Sequence, residues 1–430
     1  MKKKLHKQYS VLQEVAKKVV SGDFFQMNLH SYLDEIKSTE RIWVLGAGKA
    51  SVEMAYQVEQ YFGSDIEDGI IISPNDSHKL NRVQVFSGTH PYPYQDSVSA
   101  SYELRQFAKQ IPDGATVIFC LSGGASSLLC IPEDGIELDE LRHCYKQLLN
   151  SGASIHEINA VRKHLSETAG GKLGKLLAGT KLTSIVLSDV PGDATDVVGS
   201  GPTVADRSTF TEAFQVLKKY GLWDETPHSI RIYLSKGMHG DVPENPKPDN
   251  NFWRNHRVEV ISGASLLAQN VAHFLSEEGY NVSVDPEAYN MDLNKISKKI
   301  CGDAISVLSK GSPLKKPASY VYFGESTVNV KGEGKGGRNQ ELALNAAISI
   351  EGQHDISLLS LATDGVDGPT DAAGAIINSE TTLKARKQKL SPEDYLQDND
   401  SYHFHEEMKT LIKTGPTGNN LMDLQITLIG

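Results

Sequence analysis

The chain has 430 residues, 39% of them hydrophobic and 23% charged, so a sizeable core is available and, at about 150 residues per domain, two or three domains are expected, with two preferred. Its net charge of −11, from 43 basic and 54 acidic residues, argues against a general nucleic-acid binder, which carries a basic face. The four cysteines, Cys120, Cys130, Cys144 and Cys301, show no C-x-x-C spacing, which points to a reducing, cytoplasmic setting without structural zinc.

The opening stretch, MKKKLHKQYSVLQEVAKKVV, is basic but has no continuous apolar run, so it predicts a surface helix and not a signal peptide. No window approaches the ~18 apolar residues of a membrane span. Short apolar runs then alternate with helical spacings. RIWVLGAG (41–48) predicts a strand ending in glycine, and Val52, Ala55, Tyr56, Val58 and Tyr61–Phe62 predict the helix that follows. DGIIIS (68–73), TVIFCLSGGASS (116–127) and SIVLSDVPGD (184–193) predict further strands, the latter two ending in small or acidic residues. Strands this apolar are buried on both faces, as in a parallel sheet covered by helices. Residues 1–240 are therefore expected to form one doubly wound, Rossmann-like α/β domain. Residues 241–256, rich in Pro, Asn and Asp, read as a linker. Beyond it, RVEVISGAS (257–265), a helix over 266–278, NVSVDP (281–286), an apparent hairpin within 319–341 that feeds a helix, ISLLSLATDGVDG (356–368) and LQITLIG (424–430) predict a smaller α/β domain with a mixed sheet, 257–430.

The unusual loops fall at strand ends, where open α/β sheets bind ligands. Gly46-Ala47-Gly48-Lys49 is neither a P-loop nor a dinucleotide fingerprint, because Trp43, Ala50 and Ser51 stand where those motifs need Gly, Ser/Thr and Gly. It still lets a backbone approach an anion and adds a lysine; the plain alternative is a tight turn with an exposed Lys49. Ser122-Gly123-Gly124-Ala125-Ser126 offers backbone N–H groups and hydroxyls to an anion, and its order is not the G-x-S-x-G of a hydrolase. Arg162, Lys163, His164, Lys172 and Lys175 form a basic segment, suited to a carboxylate or phosphate or else a solvated helix face. Asp189, just past an apolar run, is a candidate for Mg²⁺ or for a hydroxyl proton, or a simple cap. Gly332, Gly334, Gly336 and Gly337 precede Arg338-Asn339-Gln340-Glu341, a stretch able to cover the phosphates of a nucleotide while Arg338 neutralises a transferring group. Asp364, Asp367 and Asp371 follow among glycines, without the order of an EF-hand. Lys, Arg, glycine nests and strand-end aspartates together suit phosphoryl transfer. His90, in GTHPYP, stands beside these loops without ligand-like spacing.

These blocks resemble the glycerate 2-kinases of the MOFRL type, a family some of whose members are labelled hydroxypyruvate reductases. GAGKAS, GTHPYP, LSGGASSLL, INAVRKHLS, GGKL, LSDVPGD, GSGPT, GGRNQELAL, ATDGVDGPTDAAGA and GPTGNNLMDL occur in the family's order over nearly the whole chain. The resemblance implies an active site in the cleft between the two domains, with ATP, Mg²⁺ or another divalent metal, and D-glycerate giving 2-phosphoglycerate. It places Lys49, Asp189 and Arg338 in catalysis. It gives Gly46, Gly48, Ser122, Gly123, Gly124, Ser126, Arg162, Lys163 and His164 to the acid or phosphate, Gly334, Gly336, Gly337, Asn339 and Glu341 to the nucleotide, and Asp189 and Asp364 to the metal. Tyr94, Ala125 and Ala169 depart from residues common in the family, so another short hydroxy acid stays open as substrate. An NAD(P)-dependent hydroxypyruvate reductase is the runner-up. The oligomeric state is open, a homodimer included.

Overall fold

The computed structural model describes residues 2–36, 41–74, 78–188, 190, 193–417 and 421–430, apart from the side chains of residues 2, 25 and 27. The chain divides into two compact units, Leu29–Ile261 and Met1–Asn28 with Ser262–Gly430.

The Leu29–Ile261 unit is built on β1 (Ile42–Ala47), β2 (Ile66–Ser73), β3 (Val83–Ser87), β4 (Thr116–Ser122), β5 (Lys181–Leu187) and β6 (His256–Ser262). Their order is β3-β2-β1-β4-β5-β6, with parallel pairing from β3 through β5. That is the Rossmann-like, doubly wound arrangement, in which successive strands run outwards from the β1/β4 junction. The central strands are apolar because both faces are covered: Leu45, Phe119, Leu121 and Val186 pack with Leu104, Leu128 and Leu173 from helical segments. A second core, around Tyr145 and Phe210, gathers the helices Leu138–Asn150, Ile155–His164, Phe210–Lys219 and His228–His239.

The other unit carries β7 (Asn281–Val284), β8 (Tyr289–Asp292), β9 (Ala318–Thr327), β10 (Ile356–Ala362), β11 (Gly374–Asn378), β12 (Leu411–Ile412) and β13 (Asp423–Ile429). The order is β12-β11-β10-β13-β9-β7, and β8 also pairs with β9. The sheet is mixed, since β7 and β8 run parallel to β9 while β9, β13, β10, β11 and β12 pair antiparallel in turn. Leu293–Lys310 and Arg338–Ser349 cover it through Ile296, Ile300, Leu342 and Ala346, packed on Tyr322 and Leu358.

The structure departs from the sequence expectation at four places. β6, expected to open the second domain, lies at the edge of the first sheet. Residues 241–256 pack on the same unit: Trp253 lies against Gly171 and Gly174, Asn245 donates to Asp206 at 2.7 Å, and Glu244 meets His164 at 3.1 Å. Composition marked this stretch as a linker, but its polar groups satisfy buried ones. The basic N-terminal stretch does form a helix, Lys2–Val20, yet it belongs to the C-terminal unit. It buries Leu12 and Val15, and its Gln8 receives a 2.7 Å hydrogen bond from Ser357. The expected hairpin in 319–341 is a single strand, β9, followed by a loop. Backbone N–H groups of residues 331–335 are taken by Asp398, Asn399 and Asp400, which leaves nothing for a returning strand to pair with.

Candidate functional site

The β1/β4 junction is the switch point of the first sheet, where a ligand is expected beyond the strand ends. A side chain at Gly46 would strike the Cys120 carbonyl, and one at Gly48, held at φ 136°, would strike Ser122. These glycines exist because β1 and β4 approach closely. The same approach fixes the next residues: the Lys49 N–H donates to the Gly123 carbonyl at 2.9 Å, and the Ala50 N–H to Ser122 Oγ at 3.0 Å. Ser51, in place of the third fingerprint glycine, is buried and donates to the Gly48 carbonyl at 2.7 Å.

Lys49 and His90 flank Gly124, which adopts φ 84°; a methyl there would stand 3.0 Å from His90 Cδ2 and 3.3 Å from Lys49 Cγ. Arg162 comes from the helix Ile155–His164 and is 8% exposed. Its Nη1 reaches Ser126 Oγ at only 3.4 Å, its guanidinium lies 4.8 Å from the Tyr145 ring centre, and its Nε is buried without a partner. Among the described residues neither Lys49 nor Arg162 has a carboxylate partner. Burying a cation without a counter-charge is costly. The arrangement therefore suits an anionic ligand, a carboxylate or a phosphate, whose charge completes it. His90 stays open to solvent, yet partial desolvation, then the charges of Lys49 and Arg162, draw its pKa below the usual histidine range.

The rest of the basic segment is occupied differently. Lys163 is buried between Asp196 (3.2 Å) and Asp206 (3.3 Å), beside a cavity of about 510 Å³ lined also by His156 and Arg207. His164 is fully buried, with Nδ1 on the Ala160 carbonyl and Nε2 on Glu244. Lys172 meets Glu133 at 2.6 Å, and Lys175 is exposed. The structure thus brings together Lys49, Gly123, Gly124, Ser126 and Arg162, and leaves Lys163 in internal ion pairs and His164 hydrogen-bonded to Glu244. Asp189 lies outside the described residues.

In the C-terminal unit a cavity of about 450 Å³ is lined by Val328, Val330, Gly336, Arg338, Glu341 and Asp364. Arg338 opens the helix Arg338–Ser349 and is held by a two-pronged bond to Asp423 (Nε–Oδ2 2.6 Å, Nη2–Oδ1 3.0 Å) with Glu325 at 3.2 Å. Asp423 is buried, which pushes its pKa up to about 7 against the pull of Arg338. The loop glycines have packing reasons: side chains at Gly334, Gly336 and Gly337 would strike Asp400, Ser401 and Asp367. Asp367, sunk beneath the helix, accepts the N–H groups of Asn339 (3.1 Å) and Gln340 (2.9 Å), so it serves as their cap. Asn339 faces inward to Ser360 and Gln425, and Glu341 receives Asn399 at 2.9 Å. Among the described residues the Asp364 carboxylate accepts the Val366 N–H alone, at 3.1 Å.

Among the described residues no cluster of three or more His, Cys, Asp or Glu forms a metal cage. Mg²⁺ does not require one, since it keeps several waters and binds through one or two carboxylates plus phosphate oxygens. Asp364 fits that demand. Sequence reasoning missed Asp423 as the partner of Arg338 and gave His90 no role. His90 lies just beyond the end of β3, an edge strand that composition does not mark, so its place in the block GTHPYP was the available signal.

Residues 8–235 match a family described as Domain of unknown function (DUF4147), and residues 318–423 match the MOFRL family. The D-glycerate 2-kinase of Thermotoga maritima is 35% identical over 97% of this chain and 97% of its own length. The glycerate 2-kinase of Pyrococcus horikoshii is 35% identical over 92% of this chain and 88% of its own. A crystal structure of glycerate kinase from Thermotoga maritima matches with a TM-score of 0.89 at 34% identity, covering 99% of this chain and 100% of that one. Among the described residues no helix is long and apolar enough to cross a membrane.

Proposed function

Because the chain belongs to the DUF4147/MOFRL glycerate kinase family, we propose that it transfers the γ-phosphoryl group of ATP to the 2-hydroxyl of D-glycerate. The observation that carries the choice of substrate is the pair of uncompensated cations, Lys49 and Arg162, beside Gly124 and Ser126. A small hydroxy acid brings the carboxylate that such a pair lacks. Arg162, with its fork of donors, holds the carboxylate, and Lys49 supplies a point charge to the group in transfer.

In the C-terminal unit the nucleotide occupies the cavity lined by Val328, Val330, Gly336 and Arg338. Its apolar wall suits a base, and Arg338, oriented by Asp423, suits a phosphate. A bound Mg²⁺, held in this unit by Asp364, would neutralise phosphate charge. Gly334 and Gly337 shape this loop through packing, and phosphate contact falls to the groups that packing leaves free.

Phosphorus NMR of the products from ATP, Mg²⁺ and D-glycerate tests the proposal. A 2-phosphoglycerate signal is the expected result. A 3-phosphoglycerate signal would overturn the regiochemistry, and oxidation of NADH by hydroxypyruvate without any phosphoryl transfer would replace kinase by reductase. Turnover of a four-carbon hydroxy acid in preference to glycerate would point to Tyr94, which is exposed and stacked under Arg142 at 3.9 Å, as the departure that matters.

A further inference from the structure

We propose that His90 is the proton acceptor for the substrate hydroxyl in the Lys49–Arg162 cluster. The inference rests on the glycerate kinase reading above. Three observations on the unit Leu29–Ile261 carry it. The His90 ring stands against Gly124 from the same side as Lys49, so both side chains face the loop that the anion occupies. Neither ring nitrogen of His90 has a hydrogen-bond partner among the described residues, in contrast to the buried His164 and His405, whose two nitrogens are both engaged. Among the described residues, the other charged groups facing the loop, Lys49 and Arg162, are donors only and have no lone pair to offer.

Among the described residues the charged groups that face the ring are Lys49, from the loop after β1, and Arg162, from the helix Ile155–His164. Partial desolvation first, and then both cations, draw the pKa of His90 below the usual histidine range and so favour the neutral imidazole. Neutrality leaves one ring nitrogen with a lone pair. A 2-hydroxy acid with its carboxylate on Arg162 carries its hydroxyl on the adjacent carbon, beside the loop that the His90 ring faces, and that nitrogen receives its proton. The hydroxyl O–H bond breaks and the proton passes to His90, while the freed electron pair forms the bond to the γ-phosphorus of ATP. The bond from that phosphorus to the β-phosphate oxygen breaks, with its pair remaining on ADP. The imidazolium then yields its proton to water. Its positive charge, set between two cations, favours that release. A loose phosphoryl transition state asks only modest help from a base, which a neutral imidazole supplies.

The test compares the unaltered chain with His90→Gln and His90→Ala across pH 5 to 8, with D-glycerate, ATP and Mg²⁺. The expected result is a kcat lower by about 10²-fold in His90→Gln, a KM for ATP within about threefold, and loss of the acidic limb of the kcat profile. That limb, in the unaltered chain, falls as pH drops through a value below 6.5. Added imidazole should restore part of the rate of His90→Ala, an outcome no structural role would produce. A His90→Gln enzyme with unchanged kcat, or one that keeps the acidic limb, overturns the proposal. Histidine NMR of the unaltered chain gives an answer independent of turnover: a His90 pKa at or above 6.5 also overturns it. Absence of phosphoryl transfer by the unaltered chain is a different failure, that of the glycerate reading itself, and removes the premise.

Discussion

The two units use their cations in opposite ways. In Leu29–Ile261, Lys49 and Arg162 stand beside a glycine turn with no carboxylate partner among the described residues, and Arg162 is buried in that state. In the C-terminal unit Arg338 is held by Asp423 and Glu325 before any ligand arrives. The first arrangement spends folding stability to keep charge available, while the second fixes a side chain's direction and lowers its net charge. A basic residue in a strand-end loop is thus a ligand group or a structural one depending on its partners, and the residue type alone does not say which.

The contrast can be broken or sharpened by substitution. Lys49→Ala removes an exposed, unpaired charge and is expected to lower kcat/KM by about 10³-fold, or about 4 kcal/mol, with an unchanged thermal midpoint. A parallel loss of stability would show that Lys49 is structural after all. Arg338→Ala leaves Asp423 buried without its partner, so a stability loss of about 3 kcal/mol should accompany the loss of activity, measured by urea unfolding. The loss should shrink at low pH, where the carboxyl of Asp423, already pushed up to about 7, takes a proton. His405 supplies an internal reference in the same unit. It is fully buried with a pKa lowered to about 4 by desolvation. The unfolded chain then binds the proton more readily, so stability is complete above about pH 6.5 and falls towards pH 4 by up to about 3 kcal/mol. A His405 pKa at or above 6.5 by histidine NMR would contradict this. Smallest of all, Gly124→Ala should cost about 1 kcal/mol from its left-handed backbone and crowd His90 and Lys49, seen as a modest fall in both thermal midpoint and rate.

Much of this was legible in the sequence, for local reasons. Apolar runs ending in glycine located β1 and β4, and with them the loops at the switch point, because burial on both faces leaves a continuous signal. β3 gave no such signal, since it is an edge strand whose Gln84 and Ser87 are exposed. The N-terminal helix was readable as a helix, but its partner strands begin more than three hundred residues later, beyond any periodicity. Charge behaved likewise. The run Arg162-Lys163-His164 was visible, but Asp206 and Glu244, which occupy two of its members, are not neighbours in sequence. Asp423 lies 85 residues from Arg338. Sequence shows which residues carry charge, and the fold decides which of them remain unpaired.

The most direct measurement is calorimetric binding of D-glycerate, without nucleotide, to the unaltered chain, to Arg162→Met and to Lys175→Met. Both substitutions remove one positive charge from the same basic segment, one buried and unpaired, the other exposed. The account predicts that Arg162→Met weakens binding by about tenfold or more while Lys175→Met stays within about twofold. Equal effects from the two, or undiminished binding by Arg162→Met, would contradict the claim that the unpaired cations at the β1/β4 junction receive the substrate.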